Sequence, residues 1–518
     1  MPKRRKQPSV KTPAKAARKL PPAARPTVTV EDELLQMDAA IALLKTTRPT
    51  FYRWLRSGKL KGRKVGRQWR FHRSEIDRFL AGQPPRIDLP SSIDPLVDAL
   101  GKRLREVGAE PAARNGAPPT EHAVRLMLAL ARHMRATDLH LAPHVLPGRQ
   151  AVLGVLRLRI DGVLHPVAEI DIRLWPALVE QWKVLAGCDL HEHKRPQNGR
   201  LMTEVDGRSL DVLVFCVATH LGEAVSARLL SHEDVVLGLD KMELAPGDLV
   251  RIRRFLDAPT GMMVVTGPDC CGKTMLLYSC LLEINGERCK IMTAEDPVEY
   301  VLPWTVQIPL DRQLGITFAS AVRSMLRSDV DVLMAGEIRI PEDLQMLQTA
   351  ALTGHLALTT LHAEDTASAL LRMVDLGGDA FAVADSTKLV VALRLLRKLC
   401  PDCSAPKEPP TAELERALRL ARTGGVGPDA LPRQFRAPVG CPRCSRTGYR
   451  GRIPMAETLD VTPEIGCALR RGASTEELRA IAVGQGMTTL AADGIRRAAA
   501  GLTTLDEVLR MLPQSQRA

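Results

Sequence analysis

The segment GPDCCGKT, residues 267–274, constrains this 518-residue chain more than any other stretch. It has the spacing G-x-x-x-x-G-K-T and follows the apolar run GMMVVT, so the sequence predicts a strand, a phosphate-binding loop and a helix in succession. Backbone N–H groups of such a loop surround phosphates, Lys273 would reach the outer phosphates, and Thr274 would help hold Mg²⁺. The predicted nucleotide-binding residues here are Gly267, Pro268, Asp269, Cys270, Cys271, Gly272, Lys273 and Thr274.

Apolar runs alternate with helical patterns on both sides of this loop, which predicts a parallel sheet covered by helices. Glu295 ends one such run and Glu337 ends another, where carboxylates of this fold meet a ligand or hold Mg²⁺. His355 and His362 lie seven residues apart in an apolar region. A histidine pair in such a region is more often packed than catalytic.

The whole chain is too long for one hydrophobic core, so several domains are expected. The predicted fold class is α/β, with an α+β domain before the core. The predicted boundaries are a disordered basic arm at 1–32, a helix-turn-helix domain at 33–82, a linker with a short helix at 83–119, the α+β domain at 120–240, the P-loop domain at 241–395, a four-cysteine insertion at 396–452 and a C-terminal helical subdomain at 453–513.

Positive charge is concentrated near the N-terminus. The chain carries a formal net charge of +13, and residues 1–82 hold 21 Lys or Arg against 6 Asp or Glu. Residues 33–82 resemble the small winged helix-turn-helix domains of the excisionase and MerR-like kind. In that resemblance Arg48, Arg53 and Arg56 lie on or near the recognition helix, and Arg63, Lys64 and Arg67 lie in the wing. The basic face would bind DNA or dock a protein, and the sequence leaves both open.

Cysteine spacing predicts a metal site. CPDC and CPRC place Cys400, Cys403, Cys441 and Cys444 in paired C-x-x-C spacing, which suits a closed, structural Zn²⁺ site, with chance pairing as the alternative. No stretch approaches the ~20 apolar residues of a membrane-spanning helix, so we expect no transmembrane segment and a cytoplasmic location.

Several segments together resemble one protein family, the assembly ATPases of type II secretion and type IV pili. The resemblance covers about 120–513. It implies a RecA-like core, ATP as substrate, a homo-oligomeric ring of six subunits, and a membrane platform protein as partner, with the motor peripheral at the inner membrane. The segments are GPDCCGKT, TAEDPVEY, FASAVRSMLRSDVDVLMAGEIR, LTGHLALTTLHAEDTASALLRMVDLG, ATDLHLAP, LRLRIDG, RPQNGR, GCPRCSRTGYRGR and GMTTLAADG.

The family resemblance also implies roles. Glu295 would activate or position water, Glu337 would bind Mg²⁺ through water, and His362 would sense the γ-phosphate. His355 lies in the same histidine-containing segment and is grouped with the nucleotide-binding residues. Arg200 and Arg228, from the preceding domain, would neutralise charge on the transferring phosphoryl group.

The chain departs from the family pattern at four positions. Cys270 and Cys271 replace a glycine and a small polar residue, Leu213 stands where an arginine is usual, and Ile340 where an aspartate is usual. A Cβ at position 270 would cost about 1 kcal/mol. The alternatives to an active motor are a nucleotide-binding scaffold and a DNA-associated ATPase. The adjacent thiols also raise the hypothesis of a redox-sensitive loop, with plain packing as its alternative.

Overall fold

The computed structural model describes residues 34–56, 59–66, 68–82, 87, 91–148, 151–230, 238–284, 287–311, 314–426, 435–513 and 516. The predicted basic arm, Arg67 and most of the first part of the predicted linker lie outside these residues. The described chain falls into unit 1, within Met1–Arg86, and unit 2, within Ile87–Ala518. No helix among the described residues is long and apolar enough to cross a membrane.

Unit 1 is a small domain with an aromatic centre. Phe51 and Phe71 are fully buried and meet edge to face with their ring centroids 5.0 Å apart. Its strands pair antiparallel in the order β1-β3-β2, so β2 and β3 form the hairpin that the sequence predicted as a wing. The elements are β1 Leu34–Gln36, α1 Met37–Leu43, α2 Arg48–Arg56, β2 Arg63–Val65, β3 Gln68–His72 and α3 Arg73–Leu80.

Unit 2 begins with an antiparallel sheet that has helices on one face. Alternate residues of its strands, such as Leu139 and Leu141, are buried against Trp182 and the other apolar side chains of the helices. The strand order is β6-β5-β4-β9-β8-β7. The elements are α4 Asp94–Glu106, α5 Pro119–His133, β4 Ala136–Val145, β5 Val152–Ile160, β6 Val163–Ile170, a 3₁₀ turn Ile172–Leu174, α6 Trp175–Ala186, β7 Gln197–Val205, β8 Arg208–Thr219 and β9 Gly222–Leu230.

A mainly parallel sheet follows, in the order β12-β11-β13-β14-β10-β15-β18, where β18 is Tyr449–Asp460. The run GMMVVT becomes β10, buried at every residue, because helices cover both faces of the sheet. Its elements up to β15 are a 3₁₀ turn Leu239–Met242, α7 Pro246–Leu256, β10 Gly261–Thr266, α8 Lys273–Ile284, β11 Ile291–Glu295, β12 Thr305–Pro309, α9 Phe318–Met325, β13 Val332–Glu337, α10 Pro341–Leu352, β14 Leu356–Leu361, α11 Thr366–Asp375, α12 Ala380–Ser386 and β15 Thr387–Leu399.

Alternate β10 side chains enter different cores. Met262 and Val264 pack with α9, α10 and α11, whereas Met263 and Val265 pack with α7 and α8. This period of two explains how a continuous apolar run serves both faces.

The last part of the chain returns to the same sheet. β18 pairs antiparallel with β15, from Leu389↔Asp460 to Leu399↔Tyr449, and so crosses the boundary expected at 452/453. β18 crosses this boundary because it pairs with β15, which is distant in sequence, and local sequence does not encode such a pairing. The elements are β16 Ala405–Lys407, α13 Thr411–Thr423, β17 Phe435–Ala437, a 3₁₀ turn Pro442–Cys444, β18 Tyr449–Asp460, α14 Pro463–Arg470, α15 Thr475–Gly484, α16 Leu490–Ala499 and α17 Leu505–Met511.

Candidate functional site

Parallel strands bring most of the predicted site residues to one edge of the sheet. β10 runs into residues 267–272, β11 ends at Glu295, β13 ends at Glu337, and His362 follows β14 directly. These strands are parallel neighbours, so their carboxyl ends meet. This is the edge at which open α/β sheets bind ligands.

The loop backbone adopts the conformations that glycine favours. Gly267 has a φ of +145° and Gly272 a φ of +97°. A Cβ on Gly267 would also lie 2.5 Å from the Leu393 carbonyl oxygen and 2.6 Å from Cys271 Sγ. Cys270 has a φ of +59°, so the strain expected from a non-glycine residue there is present, at about 1 kcal/mol.

The two adjacent cysteines have different environments. Cys270 is exposed, whereas Cys271 is buried beneath the loop. Burial raises the pKa of the Cys271 thiol, although Lys273 and Arg394 oppose that effect. This is opposite to the lowering that a helix N-terminus would give, and it favours plain packing of Cys271 over a reactive thiol.

A polar cluster surrounds the Lys273 ammonium group. Its Nζ donates to the carbonyl oxygens of Gly267 and Pro268, each at 2.9 Å, and lies 3.5 Å from His362 Nδ1. His362 Nε2 lies 2.8 Å from Glu337 Oε1 and 3.4 Å from Asp269 Oδ1. Lys273 and His362 can bind phosphate oxygens, and the carboxylate of Glu337 adjoins them. The contact from Asp269 was not foreseen, because nothing in the spacing shows where that side chain turns.

Magnesium would find oxygen ligands here. Thr274 lies in the first turn of α8, and Glu337 ends β13. A hydroxyl and a carboxylate are the donors that Mg²⁺ takes beside substrate phosphates. The donor set therefore fits this ion.

Glu295 is positioned differently from Glu337. Glu295 is buried, with 3% of its surface exposed. Its carboxylate accepts hydrogen bonds from Tyr278 Oη, from Thr293 Oγ1 at 2.5 Å and from Gln307 Nε2 at 2.9 Å. Burial, and then the neighbouring Glu295, raise the pKa of Tyr278, which keeps its hydroxyl protonated as a donor. These donors hold Glu295 in one orientation at the end of β11.

The two predicted arginines lie in one row across the antiparallel sheet. Arg200 is opposite Leu213, which is opposite Arg228. Arg228 donates through Nε to Asp138 Oδ1 at 3.0 Å, and its terminal nitrogen lies 3.5 Å from Cys270 Sγ. Arg228 therefore reaches the loop.

Arg200 lies farther along the row and makes a different contact. Its Nε donates to Asp211 Oδ1 at 2.9 Å, and Asp211 is buried. Leu213 separates it from Arg228 on the strand between. The structure pairs Arg200 with a carboxylate instead of placing it at the loop.

The structure does not bring His355 to this cluster. His355 precedes β14 and His362 follows it, so the strand's six residues hold them at opposite edges of the sheet, about 20 Å apart. His355 Nδ1 lies 3.1 Å from the Ala350 carbonyl oxygen, and its own carbonyl accepts from Gly261 N. It joins the end of α10 to the start of β10.

The start of α10 has only the Asp343 half of a capping box. Ile340 precedes α10, where it offers no side-chain oxygen to the helix. Asp343 Oδ2 instead accepts from the backbone N–H groups of Arg339 and Ile340, both at 3.3 Å. An acidic residue at this position of a helix start was a signal available in the sequence.

The four predicted metal ligands form one cluster. Their Sγ atoms all lie within 4.8 Å of one another, with contacts of 3.9 Å for Cys400 to Cys441, 3.8 Å for Cys403 to Cys444 and 3.7 Å for Cys441 to Cys444. Tetrahedral Zn–S bonds of about 2.3 Å require sulfur separations of about 3.8 Å. Burial opposes ionisation of Cys444, but N–H groups of Cys441 and Gly448 bring its pKa to about 6. The set fits zinc.

The second helix of unit 1 presents two arginines on its surface. Arg53, Arg56, Tyr52 and Pro49 line a surface cavity of about 490 Å³ on α2. Tyr52 is 38% exposed, whereas Trp54 packs against Phe79. Arg63 and Lys64 are exposed on β2.

Comparisons with known proteins divide the chain in the same way. A model of the family described as type II/IV secretion system protein matches residues 113–510, and a model of a helix-turn-helix domain matches residues 34–84. The chain is similar to type II secretion system protein HxcR of Pseudomonas aeruginosa, with 37% identity over 80% of this chain and 82% of the relative. It is also similar to type IV pilus assembly ATPase PilB of Myxococcus xanthus, with 35% identity over 84% of this chain and 75% of the relative.

Solved structures share the fold at lower identity. The ATPase DotB of Legionella pneumophila matches with a TM-score of 0.55 and 18% identity, covering 74% of this chain and 94% of DotB. The pilus retraction motor PilT, with bound ADP, matches with a TM-score of 0.51 and 20% identity, covering 76% of this chain and 98% of PilT. These likenesses confirm the predicted P-loop fold and its α+β neighbour.

Proposed function

The chain belongs to the type II/IV secretion system protein family, and from this premise we propose that it is the ATP-hydrolysing motor of a type II secretion or type IV pilus machine. One observation carries the proposal. Lys273, His362 and Glu337 meet within hydrogen-bond or ion-pair distance at the loop on the carboxyl edge of a parallel sheet. Two cationic or ionisable nitrogens beside one carboxylate suit a triphosphate and its metal ion.

Each residue has a task in phosphoryl transfer. Lys273 and His362 would bind the outer phosphates, which frees Lys273 from the Gly267 and Pro268 carbonyls. Thr274 and Glu337 would hold Mg²⁺, which neutralises charge on the phosphates when bound. Glu295 would position the attacking water as a base, with its orientation set by Tyr278 and Gln307.

The arginines would complete the charge balance. Arg228, held by Asp138 and already beside Cys270, is the better placed to neutralise the transferring phosphoryl group. Arg200 would take part only after leaving Asp211. The catalytic residues that we propose are Glu295, Glu337, His362, Arg228 and Arg200.

We further propose a ring assembly at a membrane machine. The relatives named for secretion and pilus assembly lead us to expect a homo-oligomer, a hexamer, that hydrolyses ATP and transmits motion to an inner-membrane platform protein from the cytoplasmic side. The four cysteines would hold a structural Zn²⁺ that closes the segment between β15 and β18.

An ATPase assay on the full chain tests the motor function. We expect Mg²⁺-dependent hydrolysis, loss of nucleotide binding in Lys273→Ala, and retained binding with hydrolysis reduced at least a hundred-fold in Glu337→Gln. Glu342→Gln, at an exposed carboxylate of α10, is the matched control. Hydrolysis abolished by Glu295→Gln would exclude a non-hydrolysing scaffold, while nucleotide binding without hydrolysis in the wild type would contradict the motor.

A second candidate function rests on unit 1. The basic surface on α2 and the exposed Arg63 and Lys64 of the hairpin favour a DNA-associated ATPase over one without DNA contacts. We expect duplex DNA binding that weakens steeply with salt and is lost in Arg53→Ala/Arg56→Ala. Tyr52 and Pro49 stay unchanged in that variant. Absence of binding at low salt would leave a protein-docking module.

A further inference from the structure

Arg394 is a buried cation with an unsatisfied nitrogen. It lies on β15, next to the strand that carries the phosphate-binding loop, and is only 7% exposed. One terminal nitrogen donates to the Glu364 carbonyl oxygen at 2.9 Å. The other terminal nitrogen, Nη1, is buried and has no hydrogen-bond partner among the described residues. Buried polar groups are nearly always paired, so this nitrogen calls for an explanation.

The unsatisfied nitrogen lies directly behind the phosphate-binding loop. Nη1 is 3.5 Å from the position that a Cβ on Gly267 would occupy. Cys271 Sγ is 2.6 Å from the same position. The guanidinium group is thus separated from the front of the loop by the backbone of Gly267 and the Cys271 thiol.

Two of the nearby carboxylates are engaged elsewhere. Asp365 forms an ion pair with Arg479 at 2.6 Å. Glu457 accepts from Leu490 N at 3.0 Å and from Gln516 Nε2 at 2.9 Å. Burial lowers the pKa of Arg394, and the negative charges of Cys271, Glu364, Asp365 and Glu457 only partly oppose this. An unpaired buried charge destabilises the folded protein, so stability does not explain the presence of Arg394.

We propose that Arg394 is a positioning residue of the nucleotide site, whose unpaired positive charge attracts the nucleotide's phosphates through the loop. The inference rests on nucleotide binding at residues 267–274. Because the interaction acts on charge, its contribution rises with the number of phosphates. A purely structural arginine, which holds the Glu364 carbonyl, would affect all nucleotides equally.

The test compares three nucleotides. In the full-length Arg394→Met variant we expect ATP to bind about ten-fold more weakly, ADP about three-fold, and AMP within two-fold of wild type. Without nucleotide, the melting temperature should rise or stay unchanged, because a buried unpaired charge is removed. Arg394→Lys, which keeps the charge, should retain ATP affinity within about three-fold.

Arg397→Met is the matched control on the same strand. Arg397 is paired with Glu507 at 2.7 Å, so its loss should lower the melting temperature and leave the nucleotide affinities unchanged. Equal losses for ATP, ADP and AMP in Arg394→Met, or no loss at all, would overturn the inference. Wild-type protein that binds no ATP would instead refute the proposed function, so the two failures are distinguishable.

Discussion

Replacing Asp248 by asparagine should make the protein more stable at neutral pH. Asp248 lies in the first turn of α7 and is 4% exposed. Burial, and then the negative charge of Asp493, raise its pKa to about 6, although Thr458, Arg251 and Arg496 oppose the shift. The folded protein therefore binds a proton on this carboxyl more tightly than the unfolded chain does.

The pKa shift sets the size and sign of the effect. A rise from 3.8 to about 6 is equivalent to about 3 kcal/mol, at 1.36 kcal/mol per pKa unit. The unfolding free energy that Asp248 contributes is full below pH 3.8 and is lost as the pH rises to about 6. Above that pH the wild type carries a buried carboxylate that Asp248→Asn does not. The variant should gain up to about 3 kcal/mol at pH 7.5, and the two should nearly converge at pH 4.

Scanning calorimetry of the full chain at pH 4, 5.5 and 7.5 measures this difference. With about 2 °C per kcal/mol for a large domain, the transition containing α7 should move up by about 6 °C at pH 7.5. Asp257→Asn, which removes an exposed carboxylate at the end of the same helix, is the control and should shift nothing. An Asp248→Asn shift that is absent at pH 7.5, or equal at all three values, would refute the reasoning.

Three further predictions concern the loop, the cysteines and unit 1. Asp269→Asn removes a negative charge, 88% exposed, from the phosphate site, so the KM for ATP should fall about three-fold, while Asp329→Asn leaves it unchanged; an unchanged KM contradicts this. Cys441→Ser should reduce bound zinc from about one per chain to almost none by atomic absorption, and a full zinc content would exclude the four-cysteine site. Phe51→Ala should destabilise unit 1 by about 3–5 kcal/mol in urea unfolding followed by tryptophan fluorescence, with Trp175, Trp182 and Trp304 each replaced by phenylalanine so that the signal comes from unit 1, and a loss below about 1 kcal/mol would show that its core is not as described.

Short-range patterns predicted the central part of the fold. The run at 261–266 is β10, because a strand buried on both faces must be apolar throughout. The loop follows it and leads into α8, because a phosphate-binding loop needs glycines at fixed places. The same logic located Glu295 and Glu337 at the ends of their strands. These features depend on neighbours in sequence.

Other features depend on contacts distant in sequence. The pairing of β15 with β18 joins segments about 60 residues apart, so neither segment alone predicts that β18 is the last strand of the sheet. His355 was grouped with the nucleotide site because it shares the histidine-containing segment of the family resemblance with His362, but the six residues of β14 hold the two histidines at opposite edges of the sheet. The hydrogen bonds that hold Glu295, and the contact of Asp269 with His362, depend on side-chain directions that spacing does not determine.

The strand β15 connects the phosphate-binding loop region to the four-cysteine cluster. It pairs with β10 beside Arg394, and Cys400 follows immediately after its last residue. A paired β-strand is nearly inextensible, so β15 would transmit tension applied at the cysteine cluster to the residues behind the phosphate-binding loop. A partner that applies force to the cysteine cluster would thereby change the affinity of the loop for ATP.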